Sequence, residues 1–143
     1  MTGSAVATVQ KYKFQKLDVY QLALEYLDLL YRLSKKFPSE ERYNLASQLQ
    51  RAATSIVLNI SEGSTGQSDA EQNRFLGLAM RSYLETVACL DIAQRRVYLE
   101  KDEANQTTEF SHRLFVNLQS LGTITKRNLM VYPVTRPRSP VYS

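Results

Sequence analysis

The stretch from Gln48 to Gly66 constrains the fold most, because one helical spacing carries two different stripes. Leu49, Ala52, Ala53, Ile56 and Ile60 recur at three- and four-residue steps, which stacks them along one side of an α-helix as a core-facing stripe. Arg51, Ser55, Asn59 and Glu62 recur at steps of four, four and three. They place a cation, a hydroxyl, an amide and a carboxylate on a second face. Such a helix buries one face against other helices and carries a polar seam on the other. Gly63 and Gly66 follow, and because glycine tolerates the left-handed conformation of helix ends, the helix is expected to stop there.

Three further segments keep helical spacing. From Phe14, the residues Leu17, Tyr20, Leu24, Leu27 and Tyr31 do so as far as Phe37–Pro38, and proline disfavours a helical residue before it, so a first helix is expected to about Lys36. Ser39 is expected to cap a second helix over 40–62, with Glu40 and Glu41 at its positive start. Ser68 and Glu71 have the spacing of a capping box, opening a third helix that Phe75, Leu76, Ala79, Tyr83, Val87, Leu90 and Val97 carry to about Tyr98. Asp102 is expected to cap a fourth, in which Phe110, Leu114, Leu118, Leu121 and Ile124 reach Lys126 or Arg127.

The expected fold class is all-α: an antiparallel up-down four-helix bundle over 14–127, between an arm (1–13) and a basic, proline-rich tail (128–143). Ala46, Ala52 and Ala53 allow a close helix approach. Ile56–Val57–Leu58 and Leu29–Leu30–Tyr31 are apolar on more than one face, more than a lone bundle covers, so self-association is expected.

Inventory narrows the chemistry. The chain has one histidine, His112, one cysteine, Cys89, and no paired carboxylate–histidine spacing on any helix, so neither zinc nor a di-metal site has its ligands. Gly63 and Gly66 follow a helix, not a strand, and lack a lysine partner, which speaks against a phosphate-cradling loop. No metal, no cofactor and no enzyme activity are expected. No apolar run approaches the roughly 20 residues of a membrane span, the first ten residues lack a signal peptide's pattern, and Cys89 is alone, so a cytoplasmic protein is expected. For the seam of Arg51, Ser55, Asn59 and Glu62 the favoured reading is mutual satisfaction across helices or a subunit contact; the other is a ligand site from Glu62 to Gln67. Glu85 and Asp91 are expected to pair with Arg81 or Arg95.

Charge is unevenly spread. Lys11, Lys13 and Lys16 precede the first acid, Asp18, and Arg113, Lys126, Arg127, Arg136 and Arg138 follow the last, Glu109. These eight of the eighteen cations leave ten against fourteen acids between them, so the ends are basic and the middle is mildly acidic. Acid-free basic ends with Tyr12, Phe14 and Tyr132 interleaved can neutralise phosphates and stack bases of RNA or DNA, and Arg95 and Arg96 are expected to join that surface. Two alternatives stand beside this: solubilising ends only, or a tail that docks on a partner protein's aromatic groove.

Arg51–Ala52–Ala53 with Ser55–Ile56, Asn59–Ile60 and Glu62–Gly63 resembles the signature of the four-helix-bundle proteins encoded in 23S rRNA intervening sequences. The segments Phe14 to Tyr20, Phe37–Pro38 to Leu45, Gln48 and Arg74–Phe75–Leu76 to Glu85 extend the likeness over about Phe14 to Leu121. Tyr20 replaces a usual tryptophan, Val57–Leu58 a proline and a small residue, and Met80–Arg81 an Arg–Gly pair, which sets a long cation at an expected close helix approach. The resemblance implies a homopentamer and an RNA or ribonucleoprotein scaffold. The related accessory variability determinant of diversity-generating retroelements is similar too, and implies a reverse transcriptase and its template RNA as partners.

Overall fold

The computed structural model describes residues 12–65 and 68–121. Expectations for Met1 to Lys11, for Gly66 and Gln67 and for residues 122–143 lie outside the described residues. Four α-helices make up most of the described chain, with no strand among the described residues: α1 (Asp18–Ser34), α2 (Leu45–Ser64), α3 (Asp69–Arg95) and α4 (Lys101–Gln119). They form a four-helix bundle in which α2 and α4 each pack on both α1 and α3. Every residue of the apolar stripe of α2 is buried, as are Leu30 of α1 and Leu114 and Leu118 of α4. Ala79 and Ala93 of α3 are buried too, and α2 and α3 form the most extensive helix pairing of the bundle.

The helix ends depart from the spacing for local reasons. Lys13–Lys16 forms a single 3-10 turn and Leu17 is extended, so α1 begins at Asp18 and not at Phe14; Phe14 instead sets its ring edge-on against Tyr20 at 5.0 Å. Ser39–Glu41 is likewise a 3-10 turn, and α2 begins at Leu45. Ser39 does not cap it: the Glu41 carboxylate accepts from the Leu45 amide at 3.3 Å and the Asn44 side chain at 2.9 Å. Gly63 does not stop α2. It is helical, and a Cβ there would stand 3.2 Å from the Phe75 Cβ, so glycine serves the approach of α3. The last carbonyls of α2 are instead taken by hydroxyls, Ser64 donating to Ser61 and Thr65 to Glu62 at 2.8 and 2.9 Å.

Ser68 caps α3 as its spacing predicts, accepting from the Glu71 amide at 3.1 Å. The helix ends at Arg95, short of Tyr98, because the Tyr98 amide bonds the Ala93 carbonyl at 2.8 Å and the Val97 amide that of Gln94 at 3.0 Å. This Schellman turn needs a left-handed residue, and Val97 supplies it at φ 61. A β-branched residue there is strained. Glu100, not Asp102, precedes α4, with its amide bonding the Glu103 carboxylate at 3.2 Å. The described part of α4 ends at Gln119 and is followed by a turn at Ser120 and Leu121, whose amides bond the Val116 and Leu118 carbonyls at 3.2 Å; Lys126 and Arg127 lie outside the described residues.

Candidate nucleic-acid interface

The polar seam divides. The Asn59 amide donates to the Ser55 carbonyl at 2.8 Å and to its hydroxyl at 3.0 Å, and Ser82 of α3 donates to the same hydroxyl at 2.8 Å. Ser55 and Asn59 thus tie α2 to α3. Arg51 turns along its own helix to the Ser47 hydroxyl at 2.8 Å, and exposed Glu62 lies apart from these bonds. A groove of about 400 Å³ runs beside the seam, lined by Tyr31, Ser47, Gln50, Arg51, Ser55 and Leu58 among others. This cavity lies upstream of the turn from Glu62 to Gln67, where a ligand site is the alternative reading. Glu85 and Asp91 are exposed and, among the described residues, pair with neither Arg81 nor Arg95. Lys36 pairs with Glu103 instead, tying the end of α1 to α4. Arg81 is exposed beside Gly77, where a Cβ would meet nothing within 4 Å, so the close helix approach lies at Gly63 and not at Arg81.

Of the basic residues, Lys13 and Lys16 are exposed on the 3-10 turn before α1, where the Tyr12 and Phe14 rings stack at 6.1 Å. Arg95 and Arg96 are exposed at the end of α3. The structure does not bring the two pairs together: Arg96 lies by Tyr98 and Glu41, beyond the C-terminus of α1, so the seventeen residues of that helix, about 26 Å, separate them. Lys11, Lys126, Arg127, Arg136 and Arg138 lie outside the described residues. Tyr98 donates its hydroxyl to Glu41 at 2.8 Å, and this bond, followed by those from Asn44 and Leu45, holds the Glu41 carboxyl below its ordinary range.

A second polar array escapes sequence reasoning. Tyr26 and Thr86 share a hydroxyl bond at 2.9 Å, Thr86 donates to the Tyr83 carbonyl at 2.6 Å, and Tyr83 and Ser111 share one at 2.8 Å. All four residues are buried, and together they join α1, α3 and α4. Burial pushes both phenols above their ordinary range. Among the described residues, no group of three or more histidines, cysteines and carboxylates stands together to hold a metal, and no helix is long and apolar enough to cross a membrane.

The model of the 23S rRNA-intervening sequence protein family matches residues 15–120, most of the chain and all four helices. The chain belongs to this family. Its fold is similar to the crystal structure of a protein of unknown function from the S23 ribosomal protein family from Bacteroides thetaiotaomicron VPI-5482. The TM-score is 0.66 at 26% identity, over 72% of this chain and 93% of that one. No curated protein matches the chain. The signature residues of this family member prove to be of two kinds. Ala52, Ala53, Ile56, Ile60 and Gly63 serve the packing of α2, whereas Ser55 and Asn59 form its polar link to α3.

Proposed function

We propose that this chain is a non-enzymatic, homo-oligomeric scaffold that binds RNA or a ribonucleoprotein through exposed cations. The carrying observation is the turn at Lys13 and Lys16, both exposed beside the stacked rings of Tyr12 and Phe14. Cations alternating with aromatic faces suit a phosphate backbone and its bases, and family membership supports an RNA context. The bundle takes an antiparallel up-down course. Its surplus apolar surface favours self-association: Leu84 and Ile92 stand exposed on α3 in line with Ala88 and Gly77, and Leu58 is exposed on α2. The resemblance to pentameric relatives makes five copies the expected number, and a ring of copies multiplies a weak basic patch into an avid one.

A second reading, an accessory protein of a reverse transcriptase, rests on the basic tail, which extends beyond the matched residues. Partner capture tests it: loss of reverse-transcriptase binding on deleting 128–143 supports it, and unchanged binding to RNA alone by that truncation favours the scaffold.

The test combines mass in solution with binding to structured RNA and duplex DNA across a salt series. A particle near five copies of 16.4 kDa, about 82 kDa, whose salt-steep binding weakens on neutralising Lys13 and Lys16, supports the scaffold. An oligomer indifferent to nucleic acid at low salt sinks it.

A further inference from the structure

The end of the bundle where α1 finishes and α2 begins carries features that the proposed function leaves unused. Tyr43 is 87% and Val97 82% exposed, more than any other large apolar side chain among the described residues. The two lie near one another. The Tyr98–Glu41 hydrogen bond and a Phe37–Tyr98 ring contact at 5.5 Å hold their turns together. Neither side chain is required by the fold. Val97 occupies a left-handed position where glycine or asparagine would be less strained, and Tyr43 projects from a polar turn with the Arg42 guanidinium 5.8 Å from its ring centre.

Charge at this end is sorted. Glu41 is engaged by Tyr98, Asn44 and Leu45, and Glu103 by Lys36 and the Glu100 amide. With those acids occupied, the exposed Lys35, Arg42, Arg95 and Lys101 face outward against Glu40, Glu100 and Asp102. An exposed ring with a guanidinium over one of its faces leaves the other face to suit an unpaired base, with the cation near its phosphates. A duplex keeps its base faces stacked inside and offers that ring nothing.

We propose that this end is a stacking platform for an unpaired RNA segment, with a base on Tyr43 and phosphates at Arg42 and Arg95. It rests on the RNA-binding reading above, and it places the specific contact at the opposite end of α1 from Lys13 and Lys16.

The test uses the full chain, a labelled oligouridine and an RNA hairpin whose fully paired stem is closed by a non-nucleotide linker, so that it holds no unpaired base, titrated across a salt series. Tyr43→Ala is expected to weaken oligouridine binding about tenfold and Tyr43→Phe to preserve it, with hairpin affinity unchanged in both. The pair Arg42→Gln and Arg95→Gln is expected to lower the single-strand salt slope by about 1.4. Because Tyr43 is almost wholly exposed, these variants keep the fold, which circular dichroism checks. A wild-type protein that binds both RNAs, with Tyr43→Ala indistinguishable from it, overturns the platform and leaves the RNA reading standing. Equal losses on hairpin and single strand overturn the stacking role. A wild-type protein that binds neither RNA at low salt removes both readings and leaves this end to a protein partner.

Discussion

Two polar arrays link the helices, and they differ in burial. The hydroxyl cluster of Tyr26, Thr86, Tyr83 and Ser111 is enclosed between α1, α3 and α4, whereas the seam of Ser55, Asn59 and Ser82 between α2 and α3 is only half-buried. Hydrogen-bond lengths are nearly the same in both, 2.6 to 2.9 Å in the cluster and 2.8 to 3.0 Å in the seam. Length therefore does not rank them. The cost of losing a partner does: water replaces it at the seam, whereas inside the core the orphaned group stays unpaired.

Thr86→Val breaks the cluster at nearly constant volume and strips the fully buried Tyr26 hydroxyl of its nearest partner. The expected loss is about 2 kcal/mol, read by urea unfolding. A loss below about 0.5 kcal/mol would show that Ser111 or water takes the place of Thr86 at the Tyr26 hydroxyl. The same burial fixes a pH dependence. Folding raises the Tyr26 and Tyr83 phenols, so their contribution is fully present below the unfolded value near 10 and is lost as pH rises above it. Phenolate absorbance from both residues is expected to appear together with unfolding. Phenolate signal given near pH 10 by the folded wild type and missing from a folded Tyr26→Phe, Tyr83→Phe variant would contradict this.

More exposed than either array is Val97 in the α3–α4 turn, where strain and not burial sets the energy. Val97→Gly removes the left-handed penalty of a β-branched residue but adds freedom to the unfolded chain, for a net gain of about 0.5 to 1 kcal/mol. Loss of stability on this change would mean that the Val97 side chain packs in the assembled particle.

These differences decide what the sequence could show. Stripes such as Leu49, Ala52, Ala53, Ile56 and Ile60, and the Ser68–Glu71 cap, are local patterns, and both appear in the structure. The start of α2 was not legible, because Glu41, and not the serine at position 39, holds the Leu45 amide, and Glu41 is itself held by Tyr98, 57 residues away. The hydroxyl cluster joins Tyr26 to Thr86 across 60 residues and leaves no periodic trace. Gly63 was legible as special but not for what it does, since only the neighbouring Phe75 shows that space and not φ is the constraint. Among the candidate site residues, Lys13 and Lys16 stand exposed as a basic end requires. Arg95 and Arg96 do not join them, because proximity of ends is a property of topology.

The Glu41 latch sharpens the comparison on the acid side. Its partly exposed carboxylate is held below its ordinary value, so its contribution is present above about pH 4.5 and fades as pH falls through the lower folded value. Glu41→Gln is expected to flatten the acid limb of a stability-versus-pH curve while leaving its alkaline limb unchanged. An acid limb identical to that of the wild type would remove Glu41 as its source.

The smallest effect is expected at the seam. Ser55→Ala deletes the hydroxyl that Asn59 and Ser82 share, yet Asn59 retains the Ser55 carbonyl and half-buried Ser82 can turn to water. The expected cost is about 0.5 kcal/mol. Protein concentration makes this measurement decisive. A cost independent of concentration places the seam at the surface of the working particle, whereas one that grows as copies associate places the groove between Tyr31 and Leu58 inside a subunit contact. In that second case the seam would acquire the energetics of the buried cluster, and the difference between the two arrays would belong to the isolated chain alone.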